Sequence, residues 1–273
     1  MPDETLELQL FEAAGNRFAL FDGRLLGSPS DPARLARESC VRDALRAGWC
    51  ADGLLVLTRG EDGADGRMAI YNADGSRAEA CGNGLRSIAW YLQLQLEREE
   101  FTIETDAGAR RTSFVVQDGD AARVRTDMGP AVARDLSSPL PPPLDALPAT
   151  FVEVGNPHCV LEVDDEGALD LQRLARVVER HPDYPKGVNV SVVARRLDAW
   201  HVRVHERGVG ETEACGTGAC AVATALVRHG RASFPLELHL PGDVLVVEGD
   251  PEQGLQLVGP VKCVGRVELA LRS

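Results

Sequence analysis

Ala78-Glu79-Ala80-Cys81-Gly82-Asn83-Gly84 returns later in the chain as Thr212-Glu213-Ala214-Cys215-Gly216-Thr217-Gly218, and the register holds through Ala89 against Ala223 and Leu92 against Leu226. Working outward, Met68 and Ile70 alternate before the first copy as Val202 and Val204 do before the second. Asp52-Gly53-Leu54-Leu55-Val56-Leu57 matches Val188-Asn189-Val190-Ser191-Val192-Val193, and Phe11…Gly15-Asn16 matches Phe151…Gly155-Asn156. Matches in the same order mark a duplication. The expected chain is two homologous α/β halves, residues 1–127 and 128–263. Between Asp127 and Thr150 the turn-rich stretch carrying Pro139, Pro141, Pro142, Pro143 and Pro148 reads as an exposed loop.

Within each half, short segments with period-2 alternation predict strands: Leu6 to Leu10, Leu54 to Leu57, Phe101 to Thr105, Arg123 to Asp127, Trp200 to Val204 and Leu255 to Val258. Asp31-Pro32 predicts a capped helix start, with Leu35, Val41 and Leu45 buried. Leu169, Leu171, Leu174 and Val178 mark its counterpart. Each cysteine motif opens a second helix. Leu85, Ile88, Leu92 and Leu96 follow at helical spacing, and Ala219 to Val227 is apolar except for Thr224, which suits a helix buried on all sides. The expected architecture is therefore a mostly antiparallel sheet wrapped around one central helix, twice over. Pseudo-twofold packing would place the active site in the cleft between the halves.

Composition narrows the function. The chain has 273 residues, 44% hydrophobic and 26% charged, and a net charge of −13. Such an acidic protein is a poor partner for nucleic acid or an anionic membrane. No apolar run approaches a membrane span, and the start lacks a signal-peptide pattern. A cytoplasmic protein with free thiols is expected from its seven cysteines, odd in number and widely spaced. A free cysteine is most often a small buried apolar residue; that reading suits Cys40, Cys50, Cys220 and Cys263.

Cys81 and Cys215 differ because each stands at a helix N-terminus. The first amides there lack intrahelical partners and carry partial positive charge. That setting is expected to lower a thiol pKa from about 8.5 toward neutrality, and the following glycines let an anion approach the backbone. Two such thiols on opposite faces of a substrate α-carbon are what stereochemical inversion requires: one removes the proton, the other delivers one. The bound carboxylate takes up the electrons and the helix ends stabilise its charge, so no cofactor is needed. A lone Cys-Gly-x-Gly would be weak. Its duplication, each copy after a strand and before an apolar helix, carries the reading.

The ordered motifs resemble the diaminopimelate epimerase family of the proline-racemase-like superfamily over essentially the full length. They are Gly15-Asn16-Arg17-Phe18, Tyr71-Asn72-Ala73-Asp74-Gly75-Ser76, Glu79 to Arg86, Gly155-Asn156-Pro157-His158, Gly187-Val188-Asn189 and Glu206 to Gly218. The resemblance implies that Cys81 and Cys215 are the two bases. It implies backbone donors to the reacting carboxylate at Gly82, Asn83, Gly216 and Thr217. It also implies a substrate site lined by Asn16, Asn72, Asn156, Asn189, Glu206 and Arg207, with His158 and Glu206 tuning the thiols. A homodimer and a final strand, 264–273, returning to the first half are further implications, as is interconversion of LL- and meso-diaminopimelate in lysine and peptidoglycan-precursor biosynthesis. Arg207 would hold the distal carboxylate of the substrate with the amides of Asn72 and Asn189.

Arg17 and His205 depart from the family, where Asp and an aromatic residue are frequent. Neither position is a thiol or an expected ligand. Asn72 and Asn189 also suit plain turn formation. His158-Cys159 lacks a second pair at ligand spacing, so no metal is expected, and no Gly-Lys-Ser/Thr follows Gly208-Val209-Gly210 to make a phosphate loop. Three competing functions stand beside the epimerase: a proline or hydroxyproline racemase, which would not need Arg207; a phenazine-biosynthesis-like isomerase, which lacks the thiol pair; and a non-enzymatic thiol redox or small-anion binding protein, which would not need the matched glycine loops.

Overall fold

A computed structural model describes residues 5–27, 29–41, 45, 48–78 and 81–270. Glu79 and Ala80 of the first motif, and the last three residues of the expected returning strand, lie outside the described residues. The chain divides into two compact units, Met1–Thr126 with Gly259–Ser273, and Asp127–Val258.

The first unit runs β1 (Thr5–Ala13), β2 (Asn16–Asp22), α1 (Gly23–Leu26), α2 (Pro32–Ser39), β3 (Gly53–Thr58), β4 (Gly66–Asn72), β5 (Arg77–Ala78), α3 (Gly82–Leu96), β6 (Glu100–Thr105), β7 (Gly108–Asp118) and β8 (Ala121–Gly129). The second runs β9 (Val132–Asp135), β10 (Ala149–Glu153), β11 (Pro157–Glu162), α4 (Leu171–Val178), β12 (Asn189–Arg196), β13 (Ala199–Glu206), β14 (Gly210–Thr212), α5 (Gly216–Arg228), β15 (Leu236–His239), β16 (Val244–Asp250) and the start of β17 (Gly254–Ala270). From Gly259 onward β17 belongs to the first unit and lies antiparallel along β1, Thr5 opposite Ala270.

The pairings repeat as the sequence does. β2–β3 and β4–β6 are parallel, and so are their counterparts β11–β12 and β13–β15. The hairpins β1–β2, β3–β4 and β6–β7 match β10–β11, β12–β13 and β15–β16, all antiparallel. A parallel pair needs a crossover, and helices supply it: α2 and α4 in the first crossover of each unit, α3 and α5 in the second.

Alternation then sorts the strands between two helices. Phe18, Leu20, Leu55 and Leu57 pack with Leu85, Ile88 and Leu92 of α3. Their neighbours Ala19, Phe21, Leu54 and Val56 pack with Leu35 of α2. In the second unit Cys159, Leu161, Val190 and Val192 face Leu171, Leu174 and Val178 of α4. α5 is buried almost throughout, from Gly216 to Leu226 with only Thr217 partly open. Its alanines let the sheet close on it from every side.

One expected core residue is corrected. Asp31 caps α2, accepting the Arg34 N–H at 2.9 Å, and Leu35 is buried, but the helix stops at Ser39. Val41 therefore lies past its end, 57% exposed.

Candidate active site

In the first unit, register sets the site's edge. Phe18, Gly53 and Asn72 lie across β2, β3 and β4 in one row. That row is the edge from which the chain leaves through β5 to enter α3. Cys81 is the N-cap of α3, in extended backbone, and its Sγ accepts the Gly84 N–H at 3.3 Å. An N–H aimed at sulfur stabilises negative charge there.

Behind Cys81 runs a chain of amides and charges. Arg86, fully buried inside α3, donates through Nε to the Pro260 carbonyl at 3.1 Å and through Nη2 to Asn83 Oδ1. The Asn83 amide donates to Asn16 Oδ1. Asn16 in turn meets the Asp52 carboxylate, which also accepts the Arg17 N–H at 2.7 Å. Burial raises the Asp52 carboxyl above its ordinary pKa, and these donors work against that rise. The network ties the start of α3 to the β1–β2 hairpin. Asn72 serves its own turn: its N–H donates to the Ser76 carbonyl at 2.8 Å and its Nδ2 to Ser76 Oγ at 2.9 Å.

In the second unit, His158, Asn189 and Glu206 occupy the places of Phe18, Gly53 and Asn72. His158 pairs with Asn189 in β11–β12, and Glu206 ends β13 as Asn72 ends β4. Cys215 caps α5; Thr217 Oγ1 lies 3.5 Å from its sulfur, and the Gly218 N–H is directed at it as well, both favouring the thiolate. The Glu206 carboxylate is within hydrogen-bond reach of the same sulfur, and it accepts the Thr212 hydroxyl at 2.7 Å.

This overturns one expectation. Cys215 is not driven toward thiolate: burial first and the Glu206 charge second push its pKa well above the ordinary thiol value. The helix end is a fraction of a charge, whereas a fully buried thiolate beside a carboxylate loses its water and meets a like charge.

His158 is fully buried, and burial pushes its pKa down to about 3. The neutral ring donates from Nε2 to Asn156 Oδ1 at 2.9 Å. Its partner is thus Asn156, and Asn189 Nδ2 lies 3.5 Å from the same nitrogen without bonding it. Asn189 Oδ1 accepts the Arg207 N–H at 2.9 Å, which fixes the turn between β13 and β14. The Arg207 side chain is exposed and donates to the Lys186 carbonyl at 2.9 Å. It crosses Gly187, where an added Cβ would sit 2.7 Å from Arg207 Cδ and the backbone has φ +82°. Gly82, Gly216 and Thr217 form the first turns of α3 and α5, with Asn83 beside Gly82.

Sequence reasoning did not single out Thr212, Gly187, Asp52 or Arg86. All four stand inside the quoted matches and motifs, but their tasks are through-space contacts that spacing does not reveal. Among the described residues no group of three His, Cys, Asp or Glu side chains is arranged to hold a metal, and no helix is long and apolar enough to cross a membrane.

The sequence profile described as diaminopimelate epimerase matches residues 29–133 and 150–264. A diaminopimelate epimerase of Desulfitobacterium hafniense is 34% identical over 277 aligned residues, covering 95% of this chain and 96% of the relative. One of Desulforudis audaxviator is 37% identical, covering 94% and 96%. Among solved structures, a hydroxyproline epimerase of Agrobacterium vitis superposes with a TM-score of 0.72 at 18% identity, covering 98% of this chain and 93% of that one.

Proposed function

The chain belongs to the diaminopimelate epimerase family, and from that premise we propose that it interconverts LL- and meso-diaminopimelate through Cys81 and Cys215 without a metal or organic cofactor. The observation that carries the proposal is the duplicated thiol with unequal surroundings. Cys81 sulfur accepts an amide N–H, while Cys215 sulfur is buried beside Glu206.

In this reading Cys81 takes the α-proton and the C–H electron pair passes into the substrate carboxylate. The amides at Gly82, Asn83, Gly216 and Thr217 stabilise the charge that develops there. Cys215, held as a thiol, gives its proton to the opposite face, and the reverse reaction exchanges the two roles. A substrate ammonium paired with Glu206 would cancel the charge that keeps the Cys215 proton in place. Arg207 is a planar two-pronged donor suited to the distal carboxylate, with Asn72, Asn189, Asn16 and Asn156 lining the site. His158, neutral and buried, positions Asn156. The family is also the ground for expecting a cytoplasmic homodimer acting in lysine and peptidoglycan-precursor biosynthesis.

The test is α-deuterium incorporation in heavy water, comparing LL-diaminopimelate with proline under the same conditions. Diaminopimelate is expected to exchange and proline to stay inert, because a site built for distal charges rejects a substrate lacking them. Faster exchange into proline overturns the substrate assignment. Activity is expected to survive dialysis against EDTA; a loss restored by added metal overturns the cofactor-free mechanism.

A further inference from the structure

We propose that the cavity at the C-terminal end of α5 binds a free α-amino acid with an apolar side chain, at a site separate from the two thiols. The cavity, about 280 Å³, lies wholly within the second unit. Its floor is Val160 of β11, Val193 of β12, and Ala225 and Leu226 of the last turn of α5. Strand alternation puts Val160 and Glu162 on the same face of β11, so a carboxylate stands beside the apolar floor. Opposite it, Arg231 just beyond α5 reaches Glu162 Oε1 through Nη2 at 2.6 Å.

That pair is half in water, with Arg231 53% and Glu162 26% exposed, and such pairs add little to stability. A guanidinium carries five N–H donors and a carboxylate two oxygens, more than this one 2.6 Å approach uses. The other polar wall groups, Thr150 and His229, are bonded to each other at 2.9 Å. A cationic and an anionic head side by side above an apolar floor match one ligand chemistry. Arg231 takes an α-carboxylate, Glu162 takes the α-ammonium, and the side chain lies on Val160, Val193, Ala225 and Leu226. Along α5 the nine steps from Gly216 to Ala225 rise about 14 Å, which separates the cavity from Cys215.

The experiment is calorimetric titration of the full-length protein with L-leucine, with 4-methylpentanoate (carboxylate only) and with 3-methylbutylamine (ammonium only). NMR shifts of the His229 ring serve as a local reporter. Leucine is expected to bind at least about tenfold tighter than either half-ligand. R231M should reduce leucine to the level of the amine, and E162Q to the level of the acid. R207M, which alters the proposed epimerase site, should leave leucine binding unchanged. Equal binding of leucine and the two half-ligands, no effect of R231M or E162Q, loss of binding in R207M, or no His229 shift at millimolar leucine would each overturn the proposal.

Discussion

Replacing Glu206 with Gln removes the like charge beside Cys215 while keeping an acceptor for Thr212. The Cys215 thiol should then ionise at lower pH. Alkylation by iodoacetamide, followed at Cys215 by peptide mass spectrometry, is expected to start at lower pH in E206Q than in wild type; an unchanged profile would show that burial alone sets the thiol. At the same scale, C81A and C215A are each expected to lower epimerisation at least about a hundredfold, since one acid–base group is lost in each. C220A should stay near wild type, because Cys220 is a packing residue one turn inside α5. Near-normal inversion by C215A would rule out the two-thiol mechanism. His158 acts on stability. Its folded pKa, about 3, is depressed by burial below the ordinary histidine value near 6.5. In the unfolded chain the ring binds a proton that the folded chain refuses, so stability is present above about pH 6.5 and lost as pH falls toward 3, at up to about 1.4 kcal/mol per pH unit. Urea midpoints at pH 7 and pH 5 should diverge more in wild type than in H158Q; equal divergence would remove this account.

Gly84 shows what an element needs in order to sit where it does. A Cβ there would lie 2.9 Å from Leu55 Cδ2 and 3.4 Å from Met68 Sδ, so any side chain at this position must push the buried Leu55 aside. G84V is expected to cost about 1–3 kcal/mol by overpacking, read as a lowered urea midpoint. It should also displace the Gly84 N–H from Cys81 and slow turnover; a variant as stable and active as wild type would contradict the close approach. The helix starts were readable from local chemistry. Asp31 before Pro32 and Asp170 before Leu171 each accept an N–H three residues on, a pattern contained within one turn. The end of α2 was not. Nothing near Ser39 forbids another turn, so Val41 reads as core from spacing alone and stands exposed in the fold.

At the scale of the whole molecule, the first unit is closed by a strand from the far end of the chain. Ending the chain after Val258 removes one of the two strands paired with β1 and the Pro260 carbonyl that holds the fully buried Arg86. Leaving that guanidinium donor unpaired adds to the lost ladder. Limited proteolysis with mass spectrometry should then find peptides of the first unit cleaved early while peptides around Trp200 in the second stay protected; equal protection of both would overturn this view. The duplication, the strand alternation, the cap at Asp31 and the placement of Cys81 and Cys215 at helix starts were all decided by the sequence itself. Each is either a repeat or a relation between residues a few positions apart, and such relations survive in a linear reading. The tertiary structure alone decided that Cys215 keeps its proton, that His158 is neutral and serves Asn156, and that Arg86 links Asn83 to the last strand. Those outcomes depend on loss of water and on charges brought together from distant strands, and both arise only when the chain has closed around them.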